Sequence, residues 1–317
     1  MTKETEKKQL EDAFVRSLSS LCLAAELAVL DTDDERKKKK EKVVDLQAKA
    51  IAGAFKDSAR YVELTHKKSR WEMLNQQKLS TTDAKALLID LSFSNPFSPY
   101  QLEYKEKDLL KIAKQIGECV GLKSDAIEAI WKTRKEALDS HSEIAWGKIM
   151  MFAVGGAAVL ATGGWMAAPA LAAYLGGSAG LAGAAAVSYG LALLGGGSLA
   201  LGGMGMAGGL WLVTGAGAIG GIMLGGGGAM LVQLGSGAAK VELVKLQVSF
   251  KEITLSGQVD RAISQNAILK LLEEQNELKL KLEEEQSLND KNSSRIKEIE
   301  SILETMDKSI NWMKKVA

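Results

Sequence analysis

What this sequence lacks says most about it. Between Ile149 and Ala239 there is no Asp, Glu, Lys or Arg, a run of 91 residues in a 317-residue chain that is 25% charged overall. A helix with no polar face has nothing to turn to water, which excludes the ordinary surface helices of a soluble bundle. Histidine is nearly missing: His66 and His141 are the only two, so catalysis that needs an imidazole has few options. The two cysteines, Cys22 and Cys119, lie in unrelated segments. They form neither a disulfide framework nor a metal site and fit a reducing cytosolic compartment. The net charge of +1 provides no global field that would point to nucleic acid. The start reads as free of a secretory leader, because Thr2–Asp12 is highly charged and the apolar run Leu18–Leu30 is short and interrupted.

What fills the uncharged run is glycine and small apolar residues. It holds 27 of the 32 glycines. A membrane helix takes about 20 apolar residues, so the run suits about four crossings, with three or two as alternatives. Helix is the expected state, since in hydrocarbon each backbone amide must pair within the chain. A coarse division is 149–168, 171–194, 198–220 and 222–239, with Pro169 as punctuation. Glycine costs up to about 1 kcal/mol relative to Ala in a helix interior, and close helix packing through small-xxx-small faces is the compensation available in a membrane. Gly217, Gly221 and Gly225 fall at four-residue spacing, which is repeated by Gly176 with Gly180 and by Gly205 with Gly209. The polar candidates for a water-facing path are Thr162, Ser178, Ser188, Ser198, Thr214 and Gln233. Trp146, Trp165 and Trp211 are candidate interfacial anchors.

The flanks read as helical and charged. Residues 8–30 predict an amphipathic helix with Leu10, Phe14, Leu18, Leu21 and Leu27 on one stripe. Asp31–Lys42 is a charge run, read as a solvated turn or helix end; Lys37, Lys38, Lys39 and Lys40 are also candidates for contact with anionic lipid. Helix is predicted over 41–78, with Val44, Ala48, Ile51, Phe55, Ala59 and Val62 on one side. Thr81, Thr82 and Asp83 read as N-caps for the run Ala86–Leu91. The loop Ser94–Pro99 interrupts, and helix resumes near Gln101 and ends at Gly121, a natural C-terminal cap. Ser124 or Asp125 caps a further helix carrying Ile127, Ile130, Trp131 and Leu138. His141 reads as structural or interfacial, with pH sensing as the alternative.

Past Lys240, Val241–Glu252 reads as an amphipathic helix. Ile268, Leu271, Gln275, Leu278 and Leu282 alternate at three and four residues, and so do Ile296, Ile299, Leu303, Met306, Ile310 and Met313. These are heptad seams separated by the break Asn289–Ser294, which suggests a helical hairpin or pairing with sister subunits.

Two motifs tempt and fail. Gly215-Ala216-Gly217-Ala218-Ile219-Gly220 matches GxGxxG, yet no acidic residue follows before Glu242. Gly176-Gly177-Ser178-Ala179-Gly180 matches a nucleophile elbow, yet no histidine follows Ser178.

The stretch Ala84–Leu138 resembles the helical fold of tellurite-resistance TerB-like domains, through Leu109, Ile112, Ala113, Gly121, Leu122 and Ile127. No counterpart of that family's acidic metal cluster is evident. The architecture of the whole chain is similar to that of toxic membrane effectors of bacterial anti-phage systems, with the channel-forming effector of the Hailong system as the nearest suggestion. That resemblance implies a homotetramer whose membrane segment is held inactive by an inhibitory oligonucleotide, for which Lys37–Lys40 would be contact candidates.

The expectation is thus an all-α chain with three parts: an N-terminal cytosolic helical domain over 1–142, a Gly-rich membrane or pore segment over 143–240, and a C-terminal coiled-coil hairpin over 241–317. The expected function is a self-assembling pore or ion-channel effector in the inner membrane with both terminal domains cytoplasmic. A non-conducting membrane-anchored scaffold is the alternative. Membrane lipid and sister subunits are the expected partners; no enzyme activity, cofactor or metal is expected.

Overall fold

In the computed structural model the described residues are 3–54, 58–97, 100, 102–152, 231–232, 236–256, 261–289 and 293–317. Among them the chain is all-helical, with no strand. They divide into two compact units, one ending at Lys123 and the other starting at Ser124.

The first unit is built around α1 (Lys3–Val29), which packs on α2 (Asp34–Ala54), α4 (Lys67–Asn75), α5 (Thr81–Ser92) and α6 (Glu106–Cys119). The expected single stripe is too narrow: Val15, Leu18, Leu21, Cys22, Leu23, Ala24, Leu27 and Ala28 are all buried, as are Ser17, Ser19 and Ser20. Over residues 14–28 this helix is covered on nearly every side, as at the centre of a bundle; of its buried serines, Ser19 bonds back to the Val15 carbonyl at 2.7 Å, whereas Ser20 Oγ has no partner. The expected continuous helix over 41–78 is instead α2, α3 (Ser58–Thr65) and α4. Buried Arg70 closes the α3–α4 corner by donating to the carbonyls of Leu64 and Thr65, a cation at a helix C-terminus. Val62, expected on the apolar side, is exposed.

The cap of α5 lies one residue before the expected Thr81. Ser80 Oγ accepts from the Asp83 amide at 3.1 Å and bonds the Asp83 carboxylate at 2.6 Å, which satisfies one amide left open by the helix start. At the far end of α6, Gly121 has φ of +107°. The Leu122 amide returns to the Gly117 carbonyl and the Gly121 amide to the Glu118 carbonyl, the paired bonds of a Schellman motif. The expected glycine cap is therefore present. Ser94–Phe97, expected as a simple break, is buried, and its main chain is held by Gln47 Nε2 on the Pro96 carbonyl at 2.7 Å.

The second unit contains α7 (Ser124–Asp139), α8 (Trp146–Phe152), α9 (Ser236–Ser249), α10 (Arg261–Leu288) and α11 (Ser294–Val316). A π-helical turn over Phe250–Leu255 follows α9 directly. α7 thus packs with the C-terminal helices, whereas the sequence reading placed it in an N-terminal domain ending at 142. The stretch with the TerB-like resemblance is likewise divided, α5 and α6 in one unit and α7 in the other.

α10 and α11 pack antiparallel, with Gln275 on Asp307 at 2.7 Å and Arg295 on Glu285 at 2.6 Å. The seam residues Leu271, Gln275, Leu278, Ile296, Ile299, Leu303, Met306, Ile310 and Met313 are buried. α11 also buries Ile302, Thr305 and Ser309, because α9 lies on its other side. Its covered face is the broad stripe of a bundle helix, wider than a two-stranded seam. α9 was expected to be amphipathic, but between α7 and α11 it buries Val241, Leu243, Val244, Leu246, Gln247, Val248 and Ser249. Contacts fix the directions: Ser236 meets Glu298 and Gln247 lies near Ser309's neighbour His141, so α9 and α11 run parallel.

Candidate functional site

The structure brings together the two ends of the uncharged run. α8 leads into it and α9 leads out, and they pack against each other, with Gly237 facing the Ile149 side chain. Near its far end the run is already part of the folded core: Leu231 and Ala239 join Leu243, Leu246, Phe250, Ile302 and Met306 in one cluster. The expected span 222–239 therefore loses its last residues to protein packing, and the interval left between the folded anchors is 153–230. The candidate packing glycines Gly176, Gly180, Gly205, Gly209, Gly217, Gly221 and Gly225 all lie outside the described residues. So do the candidate pore-lining residues Thr162, Ser178, Ser188, Ser198, Thr214 and Gln233, and most of the expected multi-pass segment. Among the described residues no helix is long and apolar enough to cross a membrane.

At these two ends α9 packs between α7 and α11, a three-helix collar in which a small polar cluster sits beside the apolar core. His141, at the corner between α7 and α8, is fully buried; its Nε2 lies 3.2 Å from Gln247 Oε1 of α9 and 3.5 Å from Ser309 Oγ of α11. Burial lowers the His141 pKa below its ordinary value, and the Gln247 bond only partly opposes this. Trp146 Nε1 donates to the Leu138 and His141 carbonyls, both at 3.2 Å, and its ring stands edge-on to the imidazole. The corner is thus closed upon itself before α8 starts.

Two polar contacts tie both ends of the run to α11. On the entry side Lys308 binds Glu143 at 2.7 Å, which lowers the Glu143 pKa and raises that of Lys308. On the exit side the Glu298 carboxylate accepts from the Ser236 amide at 2.7 Å. A carboxylate on the first amide of a helix satisfies an open donor and meets the positive end of the helix dipole. Further along, Thr133 Oγ1 donates to the buried Glu252 carboxylate at 2.5 Å, and Lys251 pairs with Glu136 at 2.6 Å, joining α7 to the π-helical turn. Sequence reasoning singled out His141 and Glu143 but missed Gln247, Glu298 and Ser309. The available signal was a polar residue inside an apolar stripe, Gln247 among Leu243, Val244 and Val248, and Ser309 beside Met306 and Ile310.

The lysine run is split by the structure. Lys38 and Lys39 are exposed, and Lys39 pairs with Glu35 at 2.7 Å; Lys37 is half-buried. Lys40 points inward: its side chain is 2% exposed, its Nζ lies 2.6 Å from Asp31 and 5.0 Å from the centre of the Phe97 ring. A lysine buried in a salt bridge cannot serve as a surface contact, which removes Lys40 from the candidates for lipid or nucleic acid. Asp31 also takes a two-pronged bond from Arg36, at 2.7 and 2.8 Å, and this fork together with Lys40 holds its carboxyl well below the usual range.

Elsewhere in the first unit an open cleft of about 570 Å³ is lined by Glu26, Lys67, Trp71 and Cys119, among others. Glu26 in it is taken up by Lys67 Nζ and Trp71 Nε1, at 2.7 and 3.1 Å. Both cysteines are free thiols; burial pushes Cys22 up to about 12, which leaves no thiolate for chemistry. Among the described residues no group of His, Cys, Asp and Glu could hold a metal. No family model, curated protein or solved structure matches the chain.

Proposed function

We propose that this chain is a membrane-inserting, self-assembling pore subunit whose uncharged run is the working part and whose second unit holds that run by both ends. The observation that carries the reading is the pairing of α8 with α9. A run that leaves and re-enters one folded collar crosses a bilayer an even number of times. Residues 153–230 number 78, which accommodates two crossings of about 20 residues with ample loops, or four only if each is shortened to about 17 residues and joined by tight turns. Three crossings do not fit. An even number also puts both ends of the run on the same face, in keeping with cytoplasmic placement of the collar at the inner membrane.

Glycine favours a pore over an anchor. An anchor needs neither 78 residues nor faces such as Gly217, Gly221 and Gly225 that let helices approach closely. The scaffold reading draws on one observation: Leu269 and Leu280, about three helical turns apart on α10, are exposed and offer a face to a partner. The same face would serve self-assembly, for which the resemblance to anti-phage effectors implies four copies.

Dye leakage from liposomes carrying the purified full chain is the direct test. Leakage supports the pore, whereas sealed vesicles with fully inserted protein refute it. Topology is checked separately in a Cys119→Ser background, with single cysteines replacing Lys148 and Lys240 and a membrane-impermeant maleimide as the probe. Labelling of both from the same side is expected; labelling from opposite sides rules out even crossing.

A further inference from the structure

We propose that His141, Gln247 and Ser309 form an acid-released latch: with His141 neutral the entry corner of the uncharged run is docked on α9 and α11, and protonation of His141 undocks it. The proposal rests on the reading of that run as the working part, but it concerns the collar and is tested there.

The geometry carries the argument. A carboxamide oxygen only accepts, so Nε2, facing Gln247 Oε1, bears the ring hydrogen of the neutral imidazole. Nδ1 is then a bare acceptor, and it has no partner in the buried site; neither does Gln247 Nε2. A second proton would go to Nδ1, where it would create a buried N–H with no acceptor and a cation with no carboxylate in contact. The charged groups that bear on the ring are Glu143 of its own corner and Glu304 and Lys308 of α11. Lys308 already neutralises both carboxylates, at 2.7 and 3.0 Å. α9 offers Gln247, and α8 offers the edge of Trp146. The Trp146 indole is bonded to the His141 carbonyl and its ring stands edge-on to the imidazole, so displacement of His141 as a whole residue carries the first residue of α8 with it.

The sign follows from the direction of the shift. The docked state holds His141 below its ordinary value of 6.5, so docking is fully favoured above that pH and weakens as pH falls through 6.5 toward the docked-state pKa. One proton changes the ratio of docked to undocked corner by up to about tenfold per pH unit within that window, and no further below it.

Hydrogen exchange of the full-length protein, followed by mass spectrometry between roughly pH 7.5 and 5, reads the latch. After correction for intrinsic exchange, peptides covering 138–152 are expected to lose protection by up to about tenfold per unit below about pH 6.5, with α10 peptides unchanged. In His141→Gln the loss should vanish. Constant protection in the wild type, or the same loss in the variant, overturns the proposal. Should that variant fail to fold, His66→Gln leaves His141 as the sole histidine, and its titration in labelled protein by NMR decides. A midpoint below 6.5 accompanied, with the same midpoint, by shift changes of the Trp146 indole and Gln247 amide signals supports the latch; a midpoint at or above 6.5, or titration that leaves those signals unmoved, sinks it. Neither assay measures conductance, so an intact latch in a protein that does not leak would fault the pore reading alone.

Discussion

The Asp31–Lys40 pair gives the sharpest quantitative test of the first unit. Both side chains are 2% exposed, and the Lys40 Nζ is paired with Asp31 and has the Phe97 face beneath it. Removing one charge of a buried pair costs about 3–5 kcal/mol, since the other is left uncompensated. The Asp31 main chain reaches solvent, so the low end applies, and Asp31→Asn should cost about 3 kcal/mol. Lys40→Met should cost much less: Asp31 stays in the Arg36 fork, and the methionine lies on the Phe97 ring that the lysine now covers. The double variant should recover more than half of the Asp31→Asn loss, as apolar replacements of buried ion pairs do. Urea unfolding followed through exchange of α2 peptides measures this. With a slope of about 2 kcal/mol per molar, Asp31→Asn lowers the midpoint by about 1.5 M. A shift below about 0.5 M, the range of solvent-exposed pairs, or a double variant worse than Asp31→Asn, would refute the reasoning.

Further outcomes follow from the caps and the collar. Gly121→Ala puts a side chain on a backbone with φ of +107°, and should cost about 1–2 kcal/mol in thermal unfolding although open space surrounds the position. Ser80→Ala removes the α5 cap and should cost about 1 kcal/mol, seen as faster exchange of the Asp83 amide. Glu298→Gln removes the carboxylate from the start of α9 and should cost about 0.5–1 kcal/mol, read as lost protection at Ser236–Ala239 with α10 unaffected. Met306→Ala, at a fully buried seam position, should cost about 2–5 kcal/mol and lower the urea midpoint of the second unit; a loss below about 1 kcal/mol would mean the seam collapses around the gap.

Local signals are legible in the sequence, and relations between distant elements are not. Gly121 announces its cap because only glycine enters that region of backbone without strain, and the α10 and α11 seams show because their spacing repeats over many turns. Lys40 escapes a sequence reading because its environment depends on the turn at Leu30–Asp33, which folds Asp31 back onto α2, and on the Phe97 loop more than fifty residues away. Nothing in four consecutive lysines distinguishes the inward one. The breadth of burial on α1 and α9 is hidden for a related reason: periodicity reports one apolar stripe, while Ser17, Ser20 and Gln247 are covered by neighbours that the pattern of a single helix cannot name. The allegiance of α7 is equally hidden, since a Schellman turn followed at once by a new helix reads the same within a bundle and between two units. For the collar, His141 and Glu143 stand out as titratable residues close before the run, but their partners sit more than a hundred residues later.

The tie between α8 and α9 also gives the bundle a contact that bypasses the uncharged run. α8 and α9 pack side by side, with Ile149 Cγ2 3.9 Å from where a Cβ on Gly237 would sit, so a Gly/Ser loop of a few residues in place of 153–230 should close the circuit without displacing either helix. The uncharged run is in this sense a cassette carried by a domain complete on both sides of it. The excised protein should fold in water with α7 and α9–α11 intact, and it would isolate the acid response of the corner from any effect of lipid.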